Sequence, residues 1–193
     1  VDTDFFKNNH SIVKKKNSLL FLGRISPVKC LDLLIETLII LKNRNINFSL
    51  TVVGGYLDKD KNYFESLQKI IKENQLDDKI DFLGSVPYKK IVSLYSSHEI
   101  FVNFTPSGSM DKTIFEAMAC ESLILASNRG LIGQIDNLFI FKEGNINDAA
   151  NHLIKIFSLK EEEKNNYSQK MRLFVQNNHS LDFLMEKIIK ILQ

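Results

Sequence analysis

Apolar positions along this chain fall into two patterns, short apolar-rich runs and stripes at helical spacing. Leu19-Leu20-Phe21-Leu22 ends at Gly23, Phe48 to Val53 ends at Gly54-Gly55, and Ile80 to Leu83 ends at Gly84. Ile100 to Phe104, Leu123 to Ala126 and Leu138 to Phe141 are further runs of the same kind. Segments of this length, bounded by turn signals, predict six strands, and the continuous run Leu19 to Leu22 fits a buried parallel one. Between them the apolar residues recur every three or four positions. Ser26 as N-cap and Pro27 at the first helical position predict a helix continuing to about Lys42 through Leu31, Leu34, Ile35, Leu38, Ile39 and Leu41. Residues 60–75, a short helix from Pro87, one from about Met110, and residues 147–158, 160–177 and 181–192 supply the rest.

Strands and helices alternating at this spacing predict parallel βαβ units and an α/β fold with a doubly wound parallel sheet. Residues 1–17, polar with scattered aromatics, read as a lead-in segment, 18–178 as the domain and 179–193 as a closing helix. That helix carries an apolar stripe, Leu181, Leu184, Met185, Ile188, Ile189 and Leu192, expected to pack on the domain's own sheet. The other place for it is a domain outside this chain.

Composition narrows the partners more than the fold. At 193 residues, 44% apolar and 25% charged, the chain suits one soluble domain with a substantial core. A net charge of +2 argues against nucleic acid. No apolar run is long enough for a transmembrane segment and no signal-peptide pattern opens the chain. A cytoplasmic location is expected, with membrane contact at most peripheral. Cys30 and Cys120 both fall in helical patterns without CxxC spacing, and read as buried thiols in a reducing compartment. The chain opens Val1-Asp2-Thr3 with no initiator Met and is expected to be part of a longer protein.

In a doubly wound sheet ligands sit beyond the carboxyl ends of the strands. The sequence places Gly23-Arg24, Gly54-Gly55, Gly84-Ser85-Val86 and Thr105 to Ser109 there. Glycines let backbone approach a ligand closely, although glycines also simply end strands. Arg24 and Lys29 are two cations just past the first strand, suited to bracket a diphosphate, Arg by its fork and Lys as a point charge. The helix that starts near Met110 follows a loop of small polar residues, where free amides and the helix dipole favour an anion. Two turns in, Glu116 interrupts the apolar run of Ile114, Phe115, Ala117, Met118 and Ala119. It is either solvated on the helix's open side or facing a polar cleft, where it can accept from both hydroxyls of a ribose. Neither GxGxxG nor GxxxxGK[ST] occurs.

In order, Gly23-Arg24-Ile25-Ser26-Pro27-Val28-Lys29, Val53-Gly54-Gly55, Phe82-Leu83-Gly84-Ser85-Val86, Pro106-Ser107 and Glu116-Ala117-Met118-Ala119 resemble the donor-binding half of retaining glycosyltransferases. The family is the large one numbered four, glycosyl transferases group 1, with two facing Rossmann-like domains in a glycosyltransferase B-type fold. The resemblance runs over about residues 1–160, and Val1-Asp2-Thr3 with the following Phe resembles the segment joining the two domains. It implies a C-terminal domain that binds a UDP- or GDP-sugar as substrate, with no cofactor and no metal. The glycan, lipid or small-molecule acceptor would be held by an N-terminal domain outside this chain.

Residue by residue, the resemblance implies that Arg24 and Lys29 hold the diphosphate as it leaves and that Glu116 binds the ribose. The amides of Lys112 and Thr113 would meet the phosphate, the loop at Val86 would lie beside the base, and Gly23, Gly54, Ser107, Gly108 and Ser109 would line the crevice. Gly108 stands where the family usually has the first carboxylate of its Glu-x7-Glu motif, and Ser107 to Lys112 resembles a variant seen in a subset. Asp111 is a carboxylate three residues further on. Cys30 replaces a frequent Gly, and Gln134 stands nearest to an acidic residue often found after the fifth strand. The alternative reading is a non-catalytic nucleotide-sugar-binding module that works with a separate acceptor-binding chain.

Overall fold

Most of the apolar-rich runs become strands covered on both faces, while the one at Ile80–Gly84 leaves Asp81 and Leu83 exposed. In the computed structural model, which describes residues 1–108 and 111–192, five strands among the described residues form one parallel sheet. They are β1 (Lys15–Leu22), β2 (Ser49–Val53), β3 (Ile80–Gly84), β4 (His98–Asn103) and β5 (Leu123–Ala126), in the order β3-β2-β1-β4-β5. Leu19, Leu20, Ile100 and Ile124 are wholly buried.

The helices are α1 (Leu31–Asn43), α2 (Lys61–Glu73), α3 (Tyr88–Ser97), α4 (Lys112–Ala119), α5 (Ile146–Ser158), α6 (Glu161–Asn178) and α7 (Leu181–Leu192). Parallel strands joined by a helix cross over right-handedly, so the reversal of direction at β1 puts α1 and α2 on one face and α3 and α4 on the other. Consistent with that, α5 packs on α1, and α6 on α4. The reversal leaves a crevice beyond the carboxyl ends of β1 and β4, flanked by the loops that follow them.

Four sequence expectations change. The run Leu138 to Phe141 is not a sixth strand. Asp136 caps a 3-10 turn at Asn137–Phe139 by accepting from the Leu138 amide at 2.8 Å, Phe139 fills the core, and only Ile140 bridges to Ala126. The helix predicted from Pro27 is two pieces. Pro27–Lys29 is a 3-10 turn, Cys30 takes a left-handed conformation at φ 50°, and α1 begins only at Leu31. Cys30 is therefore half-exposed outside any helix, whereas Cys120 is buried just past α4, where burial pushes its thiol up to about 12. The helix start expected near Met110 lies outside the described residues, and α4 is helical from Lys112.

The last change concerns α7. It buries none of its residues, and Leu181, Leu184, Met185, Ile188 and Ile189 stay exposed. It packs against α6, the helix before it, and not on the sheet. The lead-in residues are more ordered than their polarity suggests. Phe6 joins the core, and the Leu181 amide donates to the Val1 carbonyl at 2.9 Å.

Candidate functional site

Past the strand ends the three glycine loops continue one another's ladder. Gly23 N donates to Val53 O at 2.9 Å, Gly54 N to Gly84 O at 2.8 Å, and Ile25 N to Gly55 O at 2.9 Å. Gly54 sits at φ +134° with its missing Cβ pointing at the Gly23 carbonyl, where an added methyl would lie 2.0 Å from the oxygen. No other residue fits there without moving the β1 loop. Gly23 has a different use, since the Lys29 stem lies over it, with Cε 3.9 Å from the missing Cβ. The glycines thus shape the floor on which Lys29 rests.

Lys29 does not stand alone in the crevice. Its ammonium contacts both oxygens of Asp111, at 2.8 Å and 2.6 Å, across the gap between the β1 and β4 loops. Asp111 Oδ2 also accepts from Asn103 Nδ2 and Thr105 Oγ1, each at 2.9 Å. Burial alone would raise this carboxyl, but Lys29, Asn103 and Thr105 outweigh it and hold Asp111 below the usual carboxylate range.

Asp111 is the residue before α4, yet its side chain makes no capping bond to the helix. The first amides of α4, those of Lys112 and Thr113, are ones for which a helix supplies no internal acceptor. They border the crevice with the dipole of α4 behind them. The Lys112 side chain is exposed beside them, and Arg24, also exposed, makes no ion pair among the described residues.

One turn further along α4, Glu116 is half-buried. Its Oε2 accepts from the hydroxyl of the wholly buried Tyr95 at 3.2 Å, and Tyr95 also donates to the Thr113 carbonyl at 3.3 Å. Burial raises the Glu116 carboxyl above its ordinary value, against the pull of Tyr95 and Lys112. Glu116 is thus neither freely solvated nor sealed in. Val86 is half-buried and packed against the core, and the next residue but one, Tyr88, is exposed and stacked on Phe5 at 5.0 Å.

The loop after β4 is tied to the loop after β5. Ser107 N donates to Glu143 Oε2 at 3.0 Å, Ser107 Oγ donates to the Ser127 carbonyl at 3.3 Å, and Arg129 N donates to Ser107 Oγ at 3.2 Å. The Ser107 bonds hold the Glu143 carboxyl below its usual value. Gly108 follows at φ +129°, and Ser109 lies outside the described residues. The structure therefore brings Lys29 together with the α4 N-terminus and places Glu116 on the same helix. Sequence reasoning missed Tyr95 and Glu143, which sit in other elements and carry no local signal. Among the described residues no three His, Cys, Asp or Glu side chains cluster to hold a metal.

A cleft at the other end of the strands, of about 220 Å³, is lined by Lys14, Lys15, Lys16, Glu99 and Lys164. Three of its charged residues, Lys14, Glu99 and Lys164, have structural partners. Lys164 pairs with Glu99, the Asn17 amide donates to Glu99 at 2.6 Å, and Lys14 donates to the Glu121 carbonyl.

The family model for glycosyl transferases group 1 matches residues 2–174. One component of the phosphatidylinositol N-acetylglucosaminyltransferase of Arabidopsis thaliana is 26% identical over 166 residues, covering 82% of this chain and 35% of that protein. The chain spans only about a third of the curated relatives it matches, 28%, 35% and 38% for three of them. Among solved structures, the C-terminal domain of the glycosyl transferase group 1 family protein LpcC from Francisella tularensis superposes with a TM-score of 0.80 at 21% identity, covering 94% of this chain and 99% of that one. Anabaena HepE in complex with UDP gives 0.86 at 18% identity, covering 100% of this chain and 55% of that one. At these identities the structures speak to the fold.

Proposed function

The chain belongs to the glycosyl transferases group 1 family, and on that premise we propose that it is the donor-binding domain of a retaining hexosyltransferase. The donor is a nucleoside diphosphate sugar, UDP- or GDP-linked, and the acceptor is a glycan, lipid or small molecule held by a second domain. The observation that carries this reading is the meeting of Lys29 with Asp111, the residue that heads α4 without capping it, at the sheet's switch point. Solved HepE complexes with UDP and with UDP-glucose on the same fold support it, as does the relative named as a phosphatidylinositol N-acetylglucosaminyltransferase.

In this reading Arg24 and Lys29 hold the diphosphate, and the Lys112 and Thr113 amides add donors on its other side. As the bond to the sugar breaks, negative charge grows on the departing phosphate, and donors already in place stabilise it without reorganising. Removing one such donor typically costs on the order of 100-fold in rate. Glu116 accepts from the two ribose hydroxyls and Val86 borders the base, while Gly23, Gly54, Ser107, Gly108 and Ser109 line the crevice. The positive charge comes from side chains and the helix dipole, so the reading includes no metal. The enzyme works in the cytoplasm, peripheral to a membrane where its acceptor is a lipid. Among the described residues no helix is long and apolar enough to cross one.

Titration calorimetry of the chain with UDP and GDP tests this. Saturable binding of one of them is expected, weakened about tenfold or more by Arg24→Ala. Absence of binding by the folded protein at millimolar concentrations of both nucleotides would overturn it.

A further inference from the structure

We propose that Asp111 is a counter-charge that positions Lys29 at the switch point and limits how tightly the crevice holds a diphosphate. This rests on the donor-site reading above. Three side chains from two segments close on this one carboxylate at the head of α4: Lys29 on both oxygens, and Asn103 and Thr105 on Oδ2. The Lys29 and Asp111 side chains are 22% and 20% exposed, so the pair is screened less than a surface bridge.

The placement has two opposed effects. Turned toward Lys29, the Asp111 carboxylate leaves the first α4 amides open to an anion and fixes the ammonium beside them. Its own negative charge faces the same crevice and cancels that of Lys29. An arriving diphosphate must share Lys29 with Asp111 and bear repulsion from a carboxylate behind it. In a half-buried site such a charge weighs more than in bulk water. The free crevice therefore carries one positive charge fewer, and a spent nucleoside diphosphate is released more readily than from the same crevice without Asp111.

Four proteins separate these effects: wild type, Asp111→Asn, Lys29→Met and the double variant, titrated with UDP, GDP and inorganic pyrophosphate. The Asn side chain keeps an acceptor for Asn103 and Thr105. Asp111→Asn is expected to bind the nucleoside diphosphate on the order of tenfold tighter, with the gain shrinking at high salt. In the Lys29→Met background the same substitution is expected to gain less, because there is no ammonium to release. A structural role alone would lower the melting temperature without tightening binding.

Equal or weaker binding by a folded Asp111→Asn protein, beside a wild type that binds, overturns the proposal and leaves the donor site standing. A wild type blind to both nucleotides overturns the two together. If Asp111→Asn does not melt cooperatively, Asp111→Ser takes its place in the same comparison, with the same gain expected.

Discussion

At the scale of single residues, Glu116 is the most informative side chain. Its carboxyl is raised by burial, so ionising it costs the folded state something the unfolded state does not bear. That cost is absent below the ordinary glutamate range and grows as pH rises through the raised folded value. Glu116→Gln is therefore expected to melt at the same or a higher temperature than wild type at pH 7, with the difference gone near pH 4 by scanning calorimetry. The same substitution is expected to weaken binding of the nucleotide by about tenfold or more, since hydrogen bonds to a charged acceptor are worth about 1.5–3 kcal/mol. Early melting with unchanged affinity would make Glu116 a structural residue held by Tyr95. Lys29, Arg24 and Glu116 could be singled out from the sequence because each is a charge in an apolar or strand-end setting. The Lys29–Asp111 bridge could not, because its partners are 82 positions apart and meet only where the sheet reverses.

Elements were legible where length and burial agreed. The runs Leu19 to Leu22 and Leu123 to Ala126 are apolar throughout and end in turn signals, so the strand type followed, although β1 reaches back through polar residues to Lys15. Leu138 to Phe141 has the same look, but four apolar residues do not distinguish a buried strand from a buried turn. The aspartate cap at Asp136 decided it. Ser26 and Pro27 likewise announced a helix start, and the chain made a single tight turn there before beginning again at Leu31.

Gly54 shows how strictly one position can bind two elements. Gly54→Ala forces a methyl onto the Gly23 carbonyl in a backbone region that side chains avoid. A loss of about 3 kcal/mol or more in urea unfolding is expected, together with weaker nucleotide binding, because the floor under Lys29 shifts. A loss under about 0.5 kcal/mol would mean that the loops adjust freely.

For the molecule as a whole, the sheet and its two helical layers account for the core, and α7 lies outside that account. Its exposed apolar stripe is larger than isolated surface residues would give. The chain on its own is expected to self-associate at high concentration, seen as a rising weight-average mass in sedimentation equilibrium. Replacing Leu184 and Ile188 together by Lys is expected to restore a monomer, with stability changed by no more than about 0.5 kcal/mol per site. A strict monomer in the wild type would contradict this. The sequence showed the stripe but not its exposure, because whether a sheet has room for one more helix depends on all the others.

The left-handed residue between the Lys29 turn and α1 bears on how the site is aimed. Lys29 N and Cys30 N close their hydrogen bonds back onto Ser26 and Pro27, and the first bond of α1 starts afresh at Leu34 N to Cys30 O. The turn and the helix therefore share no rung. Lys29 is thus carried on a closed turn of its own, ahead of a thirteen-residue helix seated on α5, and its long side chain reaches Asp111 from there. Cys30 is the break that lets the chain set the direction of Lys29 independently of the axis of α1.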